Sequence, residues 1–283
     1  MIEPGRGWQA LELGELWRYR ELLFFFVWRD IKVRYKQTEL GVLWAVIEPL
    51  MTTGVFAVLF GLLLGRGNEP GVRGVPYAVS TFCAMLPWYL FAESTVRASD
   101  SLLEGRNMLT KVYFPRILLP LAAVLTGLVD FAIGLVALVV MMICFGVVPT
   151  GTVMALPVFI LLAVAASLAV GLWLSALSAV YRDFRYVQPF LIRVGLFVSP
   201  VLFASSRLAE RMQAAVPGWS DALTALYAVN PMVAVIEGFR WSLLGVEWPG
   251  WLLVAPSLGM TVSLLVGGLY FFRRMEQTIA DVI

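Results

Sequence analysis

The residues able to do chemistry are unevenly placed in this sequence, and the types that are missing narrow the choice first. No histidine occurs among its 283 residues, which removes His-based acid–base pairs, catalytic triads and most zinc sites. No Gly-x-x-x-x-Gly-Lys-Ser/Thr loop is present, so the chain has no such cradle for nucleotide phosphates. Cys83 and Cys144 lie in apolar runs, where each reads as a small hydrophobe. The densest polar constellation is Trp28-Arg29-Asp30-Ile31-Lys32-Val33-Arg34-Tyr35-Lys36, leading to Leu40-Gly41, Trp44 and Glu48-Pro49-Leu50. Its cations could hold a diphosphate head group near the inner leaflet, and they could equally neutralise anionic lipid. Asp130 and Arg193 each interrupt an apolar run, a costly position that predicts a protein or water environment and, here, a structural tie between the two. Glu48, Glu93 and Asp130 make a proton-coupled carrier conceivable, although no internal repeat accompanies them. A membrane-embedded transferase would need convergent carboxylates or histidines, and the carboxylates are scattered.

The elements that position these residues follow from composition. With 60% hydrophobic and 14% charged residues, the chain is too apolar for a soluble surface, and several runs reach the roughly 20 residues a helix needs to cross a bilayer. Continuous Leu, Val, Ala and Phe runs lack the alternation of a barrel. The expected fold is therefore an all-α integral membrane protein with six transmembrane helices, at 42–64, 77–96, 117–145, 154–180, 187–203 and 251–272. Residues 12–38 read as an amphipathic interfacial helix, with Leu16, Leu23, Val27, Ile31 and Tyr35 on one side; its charges forbid a span. Its apolar run from Leu22 to Trp28 is short and is followed at once by Arg29 and Asp30, unlike a cleavable signal. Residues 97–116 form a polar connection with an amphipathic stretch around Ser101 to Val112. Between spans five and six, Ala222 to Ile236 is too short and too interrupted by Asn230-Pro231 to cross. A re-entrant external helical segment at 205–245 fits better.

Counting Lys and Arg with the N-terminus cytoplasmic, and with residues 181–193 taken as an inner segment, places 16 on the inner side and 5 on the outer, which favours cytoplasmic termini. The net charge of +2 is too small to suggest nucleic acid.

Five segments in order carry a resemblance: Trp28 to Leu50 as quoted; Asn107-Met108-Leu109 with Lys111, Tyr113-Phe114-Pro115-Arg116 and Pro120; Tyr181-Arg182-Asp183-Phe184; Ser199-Pro200; and Asn230-Pro231-Met232. Together they resemble the ABC-type permeases that export O-antigen, capsule and teichoic acid, over almost the whole chain. The resemblance implies a homodimer in the bacterial inner membrane that moves lipid-linked polysaccharide. It also implies two cytoplasmic ATPase subunits on which ATP and magnesium are bound, with no cofactor on this chain. Head-group uptake would fall to Arg29, Lys32, Arg34, Lys36, Leu40 and Gly41. Channel lining would fall to Trp44, Phe56, Phe60, Phe190, Phe197 and Phe203, because aromatic rings slide over pyranose faces without fixing them. Glu104, Arg106, Asn107 and Lys111 would contact the ATPase, with Arg182 and Asp183 in a second contact. Export of a drug or small lipid by the same architecture stays open from the sequence.

Overall fold

The computed structural model describes residues 13–36, 43–59, 75–149, 151–216 and 218–282, and within these the secondary structure is helical. Twelve helices follow one another: α1 Leu13–Arg18, α2 Arg20–Lys36, α3 Trp44–Phe56, α4 Tyr77–Glu104, α5 Arg106–Leu109, α6 Leu118–Cys144, α7 Leu156–Val180, α8 Phe184–Val198, α9 Ser205–Ala215, α10 Ser220–Ala228, α11 Pro231–Leu244 and α12 Trp251–Val282. Among the described residues, three helices are long and apolar enough to cross a membrane: α6, α7 with the 3-10 turn before it, and Trp251–Glu276 of α12. The pair α10 and α11 would make a fourth, but the two meet at 88°, as a broken or re-entrant segment does.

The centre of the molecule is α4, whose residues from Val79 to Leu90 are almost all buried. It packs against α3, α6, α7, α8 and α11. Its small polar residues allow that crowding: Ser99 shares a 2.9 Å hydrogen bond with Ser178 of α7, and Gly171 of α7 sits where a Cβ would come within 2.8 Å of Ala98. The helix runs through the expected end at residue 96 to Glu104, since no breaker occurs before Gly105. The connecting segment is therefore short, a single turn of helix at Arg106–Leu109.

A second core joins α2 to α6, α7 and α12 through Phe26, Phe114, Leu118, Leu172 and Phe272. Phe26 and Phe114 stand 5.3 Å apart between ring centres. Leu23, Val27, Ile31 and Tyr35, expected on one side of α2, are all partly buried, while Phe24, Phe25, Trp28 and Val33 are exposed on the rest of it. This outward aromatic belt suits a membrane interface.

Asn230 and Pro231 explain the sharp bend before α11. The Asn230 side chain accepts from the Met232 amide at 2.9 Å and donates to the Ser199 hydroxyl at 2.9 Å, while Pro231 fills the first helical position, where no amide is required. Glu237 and Arg240 follow the apolar run that ends at Ile236 without ending the helix. They are buried inside α11, which runs on to Gly245 in the left-handed conformation at φ 65°. Glu237 accepts from the Ser205 amide and hydroxyl at 2.7 and 2.8 Å, and Arg240 binds Glu237 at 3.1 Å and the Val201 carbonyl at 2.9 Å. The network fastens the start of α9 to α11.

Candidate functional site: a charged cleft beside the interfacial helix

Two helices each carry a polar ladder at four-residue spacing, and they face each other. Trp44, Glu48 and Thr52 rise along α3; Tyr89, Glu93 and Arg97 descend along α4. Thr52 and Tyr89 close the top of the pair with a hydroxyl contact of 2.9 Å. From α6, Asp130 and Gly127 complete a cleft that Arg34 of α2 enters from the side, over a floor of Pro49, Leu86, Leu90 and Phe131. Gly127 is required by the closeness of α4, because a Cβ there would meet the Ser94 hydroxyl at 2.3 Å.

The charges of the cleft are mutually engaged. Asp130 accepts from both the Arg34 guanidinium and the Tyr35 hydroxyl and lies 3.6 Å from Arg97. Arg97 also binds Glu93 at 2.5 Å, and Glu93 stands 3.6 Å from Arg34. Burial first, and the Asp130 carboxylate second, push the Tyr35 phenol up to about 12, so it is a neutral hydrogen-bond donor at neutral pH. Glu48 is exposed at the rim and has no salt bridge among the described residues. Two cations thus meet three carboxylates, and the cleft is net negative.

This arrangement corrects the expected tie between Asp130 and Arg193. Arg193 is exposed on α8, which packs on α4 and α7, whereas Asp130 is claimed by α2, the helix that lies along α6. Arg34 is likewise no free cation for a head group, because Asp130 holds it. Among the other expected head-group residues, Arg29 is paired with Asp30 at 2.8 Å and packs on the Phe26 ring. Lys32 is exposed with its ammonium 5.2 Å from the centre of the Trp28 ring, and Lys36 is exposed. Leu40 and Gly41 lie outside the described residues.

The expected aromatic lining divides. Trp44 is half exposed in the cleft, and Phe190 and Phe197 are exposed on α8 at 64% and 60%. Phe56 and Phe203 pack against the main core, and Phe60 lies outside the described residues. Trp44 and Arg34, expected to serve glycan and head group separately, share one cleft. Sequence reasoning missed the parts played by Tyr89 and Arg97; the signal was the spacing Tyr89, Glu93, Arg97 on a single helix face.

At the end of α4 farther along the chain, Glu104, Arg106, Asn107 and Lys111 are all exposed, as are Arg182 and Asp183. Arg185 reaches Asp100 at 3.5 Å and Gln188 bonds the same carboxylate at 3.4 Å, so the two expected coupling segments are neighbours. Burial, followed by the nearby Asp100 and Asp30, raises the Glu104 carboxyl above its ordinary range.

Among the described residues the chain is all-helical, carries helices apolar enough to cross a membrane, and holds a charged cleft between α2, α3, α4 and α6. The sequence model of the ABC-2 type transporter family matches residues 21–244. The chain is 30% identical over 226 residues to the O-antigen export system permease protein RfbA of Myxococcus xanthus, covering 80% of this chain and 81% of that protein. It is 25% identical over 265 residues to the protein of the same name from Klebsiella pneumoniae, covering 93% and 95%. The polysialic acid transport protein KpsM of Escherichia coli is 20% identical over 254 residues, covering 88% and 91%. The chain belongs to the ABC-2 type transporter family.

Proposed function

We propose that this chain is the transmembrane subunit of an ATP-driven exporter that moves lipid-linked polysaccharide, of the O-antigen kind, out of the cytoplasm across the bacterial inner membrane. Two copies form the conduit, and two copies of a cytoplasmic ATPase power it from the face bearing Glu104, Arg106, Asn107, Lys111, Arg182 and Asp183. The observation that carries this reading is the match of residues 21–244 to the ABC-2 type transporter family, together with 30% identity to an O-antigen export permease.

In this reading the chain makes the six crossings that its apolar runs suggest, with both termini inside and α9 to α11 forming an external, re-entrant closure. Helix rise supports the depth assigned to the cleft. The 28 residues of α4 extend about 42 Å, roughly 12 Å beyond a 30 Å hydrocarbon core. If that excess projects into the cytoplasm, Glu93 lies about 5 Å inside the inner boundary, and the same reckoning puts Asp130 of α6 about 8 Å inside. Such a depth suits the junction between a membrane-embedded lipid and its polar head. The lipid diphosphate approaches at the exposed Lys32 and Lys36, with Arg29, Leu40 and Gly41 assigned to the same uptake by the resemblance, and the glycan threads past the aromatic residues. ATP-driven closure of the partner subunits would move α5 and α2 and open the path.

Deletion of the chain from its host, with complementation by the wild type or by Lys32→Glu, tests the reading. Surface polysaccharide should disappear in the deletion strain and return with the wild type. Lys32→Glu should restore little of it while still co-purifying with the ATPase. Normal surface polysaccharide in the deletion strain would overturn the proposal, and normal polysaccharide with Lys32→Glu would remove the head-group role.

A further inference from the structure

The charge balance of the cleft says what it does not bind. Glu48, Glu93 and Asp130 outnumber Arg34 and Arg97, and both guanidiniums are already held by carboxylates within 3.6 Å. A diphosphate placed inside would meet net repulsion, and a hydrocarbon tail would strip water from ionised groups without replacing it. A cation is poorly served as well, since the described residues contain no grouping of Asp, Glu and Cys suited to a metal ion.

A neutral polyol suits the cleft on every count. Carboxylate oxygens accept from hydroxyl groups in strong, charge-assisted bonds, and one carboxylate can take two adjacent hydroxyls. Glu48 is free to do so at the rim, and Glu93 keeps acceptor capacity beyond its two guanidinium contacts. Trp44, half exposed and one turn before Glu48 on the same face of α3, offers the flat apolar surface that covers a pyranose ring. The Thr52 and Tyr89 hydroxyls, already paired, close the far end. Lys32 and Lys36, both exposed, lie on the helix that brings Arg34 to the cleft.

We infer that the cleft between α2, α3, α4 and α6 is a subsite for the sugar next to the lipid diphosphate, with Glu48 and Glu93 accepting its hydroxyl protons and Trp44 covering its face. This inference rests on the export reading above and makes the permease itself a reader of the first sugar.

The test uses the complete exporter, permease and ATPase together, purified in nanodiscs. Two probes are compared: polyprenyl diphosphate carrying no sugar, and the host's own lipid-diphosphate-linked glycan. The wild type should bind the glycolipid at least about tenfold more tightly than the bare lipid, the scale of one hydrogen bond to a charged group. Glu48→Gln should bring the two affinities to within about threefold by weakening only the glycolipid. Trp44→Leu should act in the same direction and Trp44→Phe should retain most of the preference. Trp44 is half exposed, so these variants preserve the fold if Glu48→Gln does not. A wild-type preference near one, or a preference unchanged in both Glu48→Gln and Trp44→Leu, overturns the subsite. Failure of the wild type to bind either probe would instead overturn the export reading.

Discussion

Replacing Asp130 with Asn probes the junction that fixes α2 to α6. The Asp130 side chain is 18% exposed and that of Arg34 is 33% exposed, so their pair lies between two limits. An exposed ion pair contributes about 0–1 kcal/mol, and breaking a buried one costs about 3–5 kcal/mol. Asparagine keeps the shape and one acceptor for Tyr35 but removes the charge, while Glu93 remains 3.6 Å from Arg34 as a partial substitute. The expected loss is about 2 kcal/mol, which corresponds to a fall of roughly 4–8 °C in the melting midpoint of a chain of this size. Scanning fluorimetry of the purified exporter, with size-exclusion recovery as a control, measures it. A double-mutant cycle with Arg34→Gln isolates the pair: the double variant should lose about 1 kcal/mol less than the sum of the singles. The parallel cycle with Arg193→Gln should be additive, because Arg193 belongs to a different face of the bundle. A variant melting with the wild type, or a cycle with Arg34 that is additive within about 0.5 kcal/mol, would refute the assigned junction.

Glu237→Gln should destabilise the chain more, by about 3–5 kcal/mol, with a correspondingly larger fall in the melting midpoint, because it leaves Arg240, 2% exposed, without a charge partner; adding Arg240→Met should recover part of that loss in the same assay. Gly238→Ala should cost about 1–3 kcal/mol and reduce membrane yield, since its Cβ would lie 2.1 Å from the Phe159 ring, held edge-on to Trp241 at 6.2 Å. Arg106→Glu combined with Lys111→Glu should reduce co-purification of the ATPase at least several-fold while leaving the melting midpoint of the permease alone unchanged, because both side chains are exposed and outside the core.

Membrane character and helical class were legible in the sequence because they depend on summed hydrophobicity, which needs no knowledge of partners. The run of polar residues after Val96 was harder. Arg97 and Asp100 look like a loop when read by polarity, yet both are partnered along a continuing helix, Arg97 by Glu93 and Asp100 by Arg185 and Gln188. Nor does the sequence say that Glu237 and Arg240 are buried, because their neutralisation by each other and by backbone carbonyls can be seen only in three dimensions. That Asp130 would need a partner followed from the cost of charge in an apolar run. Its choice of Arg34 over Arg193 depends on α2 lying along α6, a contact between segments some 96 residues apart that no local pattern encodes. The cleft itself was half legible: Trp44 and Glu48 stand in one motif, but their meeting with Tyr89 and Glu93 required the packing of α3 on α4.

The central claim is that this chain is a conduit for a lipid-linked glycan and that a separate ATPase drives it. Reconstitution of the chain with its ATPase subunit in sealed vesicles, loaded on the ATPase face with lipid-diphosphate-linked polysaccharide, tests it most directly through the glycan that becomes accessible to a lectin on the opposite face. Appearance of glycan that requires both ATP and the ATPase subunit is the predicted result. Equal appearance from the chain alone, or ATP hydrolysis with no glycan crossing, would contradict it.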